Sequence, residues 1–297
     1  MEPCDGPHLQ SESSLPEQDE AEYGRRHVRP SLLLLTNRHN SDTQEDIVLA
    51  DYLDRWFDIT VCHPLDCKRF EDRVDGILIR NVWPTSVHQR SFDSMLDRFT
   101  RKRLKVYNDL SGQGDRHGKW HLLLLSRARF PVIPSVESVR TLSRLPDCPA
   151  YFLKPFYGSD GSGCATVTKQ SLMHEPPRGF VIQPKLAFLY EVSFFFIDGK
   201  YQGALSTPKK EKDFKMSPYR AKNQDLVFAM RFVRWNRLRF GVQRIDAVRL
   251  HGGELLLTEI EDFCPFLHLA EMHDHMRVRF LQRLARSIRY NLFNISP

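Results

Sequence analysis

The chain has 297 residues, 41% hydrophobic and 27% charged, with 15 Gly and 18 Pro. These values describe a globular protein large enough to bury a core without disulfide or metal staples, and they exclude collagenous, coiled-coil and low-complexity classes. The longest apolar runs, such as Leu32 to Leu35 and Leu122 to Leu125, fall far short of the roughly 20 residues of a membrane helix. The net charge of +6 is unevenly spread: residues 1–24 hold seven acids and no Lys or Arg. Removing those seven from the 37 acids leaves 30 against 43 basic side chains, a charge of +13 that favours anionic partners. Six scattered cysteines without CxxC spacing read as reduced thiols, and so as a cytoplasmic protein.

In chain order, residues 1–30 read as a disordered acidic leader without a secretory signal. Strands are expected over Leu32–Thr36, Ile59–Cys62, Gly76–Arg80 and Leu104–Tyr107, with helices over Thr43–Phe57 and Ser91–Arg101 between them. Ile47, Ala50, Leu53 and Phe57 form the buried stripe of the first helix in this reading. Such alternation predicts a small parallel α/β sheet over residues 31–115, whose ligand edge lies at the carboxyl ends of the strands. Asn37, Arg38, Arg80, Asn81 and Trp83 fall at those ends.

A helix over Trp120–Arg127 is followed by hairpin-like strands: Tyr151–Lys154, Cys164–Thr168, Phe180–Gln183, Glu191–Ile197 and Lys200–Leu205, with Asp198-Gly199 as a two-residue turn. A helix over Gln224–Phe240, strands over Val242–Leu250 and Glu254–Ile260, and a terminal helix over Glu271–Leu292 complete the chain.

The most informative stretch runs from Phe152 to Val167. Strand residues ending in Lys154-Pro155 enter the glycine-rich loop Gly158-Ser159-Asp160-Gly161-Ser162-Gly163, and the chain resumes as a strand. Walker and dinucleotide loops open helices instead, so this loop is either a hairpin lid whose N–H groups cradle phosphates or an ordinary flexible turn. Downstream, the last two strands bring Asp246, Glu259 and Glu261 together if they pair as a hairpin, because Glu259 and Glu261 are two apart and share a face. Hard divalent cations suit such carboxylates; a solvent-facing acidic strand is the alternative, disfavoured by Leu255, Leu256, Leu257 and Ile260. His268, His273 and His275 lack a closed ligand set, the Arg-rich run 277–289 fits an outer helix face, and no nucleic-acid module is recognisable.

From Leu32 to Leu269 the order and spacing of these motifs resembles the ATP-grasp superfamily, in particular its glutathione-synthetase-like and RimK-like ligases. The resemblance implies an α/β (α+β) fold: a small N-terminal parallel domain (31–115), a central lid subdomain (116–184), and a C-terminal antiparallel-sheet subdomain (185–297), with ATP between the last two. It implies nucleotide-phosphate roles for Lys119, Lys154 and Lys215, and a phosphate lid of Gly158, Ser159, Gly161, Ser162 and Gly163. Gln183, Pro184, Lys185 and Leu186 become the adenine hinge, and Glu191 the acceptor of ribose hydroxyls. Asp246, Glu259 and Glu261 become ligands of Mg²⁺, with Mn²⁺ an alternative, and Arg244 neutralises the transferred phosphoryl group beside Lys154. Glu261 stands where many members have Asn.

The implied reaction is ATP-dependent ligation of a small-molecule carboxylate to an amine or thiol through an acyl phosphate. The alternatives are a hydroxyl kinase of the same fold and a non-catalytic nucleotide-binding module. Between Ser31 and Trp83 only Arg38 and Arg80, among six basic residues, fall at strand ends; that favours holding one carboxylate over a polyphosphate, and both are the expected substrate residues. No nucleic-acid partner is expected, and the oligomeric state, a dimer included, stays open.

Overall fold

The computed structural model describes residues 29–37, 43–80, 85–158, 161–175, 177–208 and 215–295. Most of the expected leader, together with Arg38, Asn81, Trp83 and Ser159, lies outside the described residues.

Three sheets follow one another along the chain. The first is four-stranded and parallel, in the order β2-β1-β3-β4: β1 (Ser31–Leu35), β2 (Asp58–Cys62), β3 (Gly76–Ile79) and β4 (Val106–Tyr107), with α1 (Thr43–Leu53) and α2 (Thr85–Lys102) as crossovers. Four consecutive leucines make β1 buried on both faces, as a central parallel strand requires. Next comes α3 (Trp120–Arg127), and then a three-stranded sheet in the order β6-β5-β7. It comprises β5 (Ala150–Pro155), β6 (Ala165–Thr168) and β7 (Phe180–Pro184), all antiparallel, with the short helix α4 (Lys169–His174) between the last two.

The third sheet is antiparallel in the order β10-β9-β8-β11-β12: β8 (Tyr190–Ile197), β9 (Lys200–Pro208), β10 (Ser217–Pro218), β11 (Val242–Arg249) and β12 (Leu255–Glu261), with α5 (Asn223–Asn236) and the terminal α6 (Asp274–Phe293). Asp198 and Gly199 both take positive φ, the geometry of the tight turn expected there. Residues 130–135 form no strand and meet β12 in the isolated bridge Val132 to Leu257. No helix among the described residues is long and apolar enough to cross a membrane.

Two corrections concern what is buried. Leu53 and Phe57 are buried as expected, but Ile47 is 59% exposed and the inward face of α1 carries Glu45, Asp46 and Leu49 instead. That rotation is explained by Arg80, which leaves the end of β3 fully enclosed. Its Nε donates to Asp46 at 3.0 Å, its Nη2 to Glu45 at 2.8 Å, and its Nη1 to the carbonyl of Pro265 at 2.8 Å. Glu45 in turn accepts the N–H groups of Leu267 and Leu269. Arg80, expected to meet a substrate carboxylate, is therefore a clamp between the N-terminal sheet and the loop after β12, with carboxylates or a carbonyl on all three nitrogens. α6 keeps the expected apolar side, with its arginines opposite. One apolar cluster joins Phe280, Leu284 and Ile288 of α6 to Leu32, Leu34 and Leu53 of the first sheet and to Phe195 and Leu205 of the third. The terminal helix is thus a shared wall, and its arginines line the outside.

Candidate active site

The central geometry is set by the register of β11 and β12. Arg244 lies opposite Glu261, and Asp246 opposite Glu259. Alternate residues of a strand share a face, so the four side chains form one block of three carboxylates around a guanidinium. Arg244 Nε donates to both Asp246 oxygens at 3.0 and 3.1 Å, Nη2 bridges Asp246 and Glu261, and Nη1 donates to the carbonyl of Phe266 at 2.8 Å. Burial opposes the charge on Arg244, but Asp246 and Glu261 outweigh it and raise its pKa.

Glu259 reaches in the other direction, to Lys119. This lysine is the residue before α3; its Nζ donates to Glu259 and, at 3.0 Å, to the carbonyl of Gly158 in the glycine-rich loop. Burial disfavours the ammonium, yet Glu259 holds the Lys119 pKa above its ordinary value. For Glu259, burial pushes up, while Lys119 and Lys154 pull harder and keep it ionised at about 2. Glu261 goes the opposite way, up to about 8: burial leads, Arg244 counters, and the neighbouring charges of Asp246 and Glu259 add to the rise. The lysines beside Glu259 and the crowding of Glu261 by its neighbours are the physical cause of that split.

Lys154, near the end of β5, is half-buried and donates to the carbonyl of Thr258 at 3.3 Å. Burial lowers its pKa, with Glu259 acting against that fall. β5 and β6 pair antiparallel, Leu153 opposite Ala165, so the loop between them is a hairpin connection, and Gly161, Ser162 and Gly163 are exposed at its tip. A Cβ on Gly163 would stand 2.9 Å from Pro155. Gln183 is buried, its amide donating to Ser135 Oγ at 2.9 Å; Pro184 pairs with Tyr151, and the Lys185 N–H is bound to the carbonyl of Ala150. Lys185 is exposed and Leu186 half-buried. Glu191, exposed on β8, has a pKa raised by desolvation and then by Asp246, with Lys154 and Arg244 acting against it. It therefore faces the same cleft. Lys215 is exposed ahead of β10 and makes no described contact with the block.

The carboxylates present hard oxygen ligands of the kind divalent cations take. Among the described residues, no three carboxylates, imidazoles or thiols converge enough to enclose an ion on their own. Basic side chains hold one oxygen each of Glu259 and Glu261. The His268, His273, His275 set makes no metal group either: His273 caps α6 through Nδ1, and His268 packs edge-on against Phe195 and Phe266.

Sequence reasoning missed the polar residues that hold this block in place. Asn108 grips β11 and the chain after β12, donating to the carbonyls of Val242 and Asp262 and accepting from the N–H of Val242. Asp115 accepts the N–H groups of Asp262 and Phe263 at 3.0 Å. His121, buried on α3, accepts the N–H of Ile260 at 3.2 Å through Nε2, and this assigns the proton to Nδ1, facing the carbonyl of Gly118. Their partners lie far along the chain, and no local pattern announces them.

Gly118 joins the lysine to the lid. Its φ of +72° is one that other residues rarely adopt, and a Cβ would come within 2.4 Å of the carbonyl oxygen of Phe156. Gly118→Ala is expected to cost about 1–3 kcal/mol from the strained backbone alone. The Lys119 N–H, bound to that same carbonyl at 2.9 Å, would be displaced with it. Urea denaturation measures the loss; an unchanged midpoint would mean the loop relaxes freely.

No family model matches the sequence, and no curated protein is a significant relative. Solved structures do match. D-cycloserine synthetase DcsG superposes with a TM-score of 0.69 at 20% identity, over 86% of this chain and 98% of that one. The D-alanine–D-alanine ligase of Bacillus anthracis, complexed with ATP, gives 0.65 at 13% identity, over 89% and 98%. The ATP-grasp ligase PsnB, complexed with a phosphomimetic variant of its minimal precursor, Mg and ADP, gives 0.59 at 14% identity, over 86% and 98%. Low identity over nearly the full length of these proteins carries the fold and nothing finer: the chain folds as these ligases do.

Proposed function

We propose that this chain is a cytoplasmic ATP- and Mg²⁺-dependent ligase joining a small-molecule carboxylate to an amine or thiol, with ADP and phosphate as products. The observation that carries this reading is the Arg244, Asp246, Glu259, Glu261 block, linked through Glu259 to Lys119 and so to the glycine-rich hairpin. Two of the similar structures, one complexed with ATP and one with Mg and ADP, support a nucleotide in such a cleft.

In this reading Lys119 and Lys154 meet nucleotide phosphates, and the Gly158–Gly163 stretch, Ser159 included, closes over them. Gln183 to Leu186 offer main-chain groups to the adenine, Glu191 accepts the ribose hydroxyls, and Lys215 reaches in when its loop closes. Asp246, Glu259 and Glu261 hold the Mg²⁺, which when bound offsets phosphate charge and orients the γ-phosphoryl group. The substrate carboxylate oxygen attacks the γ-phosphorus, and the bond to the β-bridging oxygen breaks to release ADP. Arg244 faces the equatorial oxygens on which charge accumulates. The amine then attacks the acyl carbon, phosphate leaves with the bonding pair, and the amine loses its proton. Arg38 remains the proposed holder of the carboxylate; Arg80 does not, being enclosed by Glu45 and Asp46.

Hydroxylamine tests this directly. Given ATP, Mg²⁺ and a pool of cellular carboxylic acids, the enzyme should yield a hydroxamate detectable by mass spectrometry. Lys154→Met should abolish it with little change in melting temperature, since among the described residues the Lys154 ammonium donates only to the carbonyl of Thr258, at 3.3 Å. ATP consumption with a phosphorylated alcohol and no hydroxamate would replace the ligase reading with the kinase.

A further inference from the structure

The glycine-rich hairpin meets α3 through a pair of aromatic rings as well as through Lys119. Trp120, the first residue of α3, stacks on Phe156, two residues past Lys154; the ring centroids are 4.6 Å apart and the planes 17° from parallel. Both values fall in the stacked range that aromatic pairs favour.

The two rings belong to different parts of the molecule. α3 is fixed to the third sheet, with Leu122 and Leu125 in its apolar core and His121 holding the N–H of Ile260 on β12. Phe156 follows β5, whose Tyr151 and Leu153 pack in the separate core of the three-stranded sheet. Neither Trp120 nor Phe156 is a member of either core, and Trp120 is 43% exposed. The stack thus bridges two sheets instead of completing the packing of one.

Polar contacts cross the same boundary. Lys119 Nζ donates to the carbonyl of Gly158, Lys154 Nζ to that of Thr258, and the Lys119 N–H to that of Phe156. The two ammonium groups are those that nucleotide phosphates claim in the proposed function, so a bound phosphate competes with both of these side-chain ties. No phosphate competes for an aromatic stack. Gly118 permits the close approach, since a Cβ there would stand 3.1 Å from the Tyr157 ring.

We propose that Trp120 is a positioning residue of the nucleotide site: stacked on Phe156, it keeps the root of the lid seated on α3 while Lys119 and Lys154 turn to the phosphates. It touches no reacting group and acts through the backbone of residues 156–158. The role rests on the nucleotide reading of the cleft. Without the stack the lid root is seated for only a fraction of the time, and apparent nucleotide affinity falls by that fraction.

Calorimetry of ADP with Mg²⁺ on the full chain, arranged as a double-mutant cycle, tests the assignment. Trp120→Ala and Phe156→Ala should each weaken ADP about three- to tenfold, the scale of an aromatic pair, and the double variant should be no weaker than either single one. Trp120→Phe keeps a ring to stack and should recover most of the loss. Because neither ring lies in a core, the ligand-free melting temperatures should stay level, a combination that a merely structural residue would not give. Single losses that multiply in the double variant, unchanged affinity in Trp120→Ala, or a melting temperature that falls together with affinity would remove this role and leave the nucleotide reading standing. No ADP binding by the native chain would overturn that reading and this role with it.

Discussion

Replacing Arg80 with alanine is expected to destabilise the protein by about 3–5 kcal/mol, the range for removing one partner of a buried ion pair. Glu45 and Asp46 would be left enclosed without their cation, and Pro265 without its donor. The loss should depend on pH in a defined direction. In the native protein, burial raises Glu45 to about 7 against an ordinary 4.5, with Arg80 holding it down. A raised carboxyl stabilises the fold fully below its unfolded value, and that contribution disappears as the pH climbs through the folded value. In the native protein the decline is over near pH 7. Without Arg80 the Glu45 value rises further, so the variant keeps losing stability above pH 7 and the gap between the two proteins widens from pH 6 to 8.5. Urea unfolding at both pH values measures it. A loss below 1 kcal/mol, equal at both, would mean that Arg80 is not the clamp.

Arg244→Met is expected to lower turnover by about 10³-fold or more, the scale on which an arginine facing a transferring phosphoryl group acts. Its guanidinium contacts Asp246 and Glu261 together, so removal also leaves adjacent carboxylates facing each other without a cation. The melting temperature of the ligand-free variant should therefore fall, and Mg²⁺ should restore part of it by replacing the lost charge. Arg244→Lys should keep more stability than turnover, since a point charge cannot span both carboxylates as the planar fork does. Turnover within tenfold of the native enzyme would remove Arg244 from the chemistry.

Much of this site is legible in the sequence because it depends on local spacing. Glu259 and Glu261, two apart on a strand next to a Gly-Gly turn, must share a face, and the register then brings Arg244 and Asp246 beside them. The hairpin lid is legible for the same reason: strand signals flank the glycines on both sides. Long-range compensation is not. Ile47 fits a helical stripe, but the arginine that draws Glu45 and Asp46 inward is more than thirty positions away. Asn108 is as opaque, with partners 134 and 154 positions along the chain. The enclosed state of Arg80 follows from the chain after β12 folding over it, and a strand-end arginine looks the same in sequence whether it meets a ligand or a neighbouring loop.

The proposed function requires the carboxylate block to hold Mg²⁺ together with nucleotide phosphate. Titrating ADP into the protein by calorimetry, with Mg²⁺ and then with a chelator, tests it most directly, alongside Glu259→Gln. Phosphate and three carboxylates repel unless a cation lies between them, so Mg²⁺ should strengthen ADP binding at least about tenfold, the lower end of a charge-assisted contact, and Glu259→Gln should lose most of that gain. Equal affinity with Mg²⁺ and with chelator, in both proteins, would mean that the block holds no Mg²⁺ beside the nucleotide.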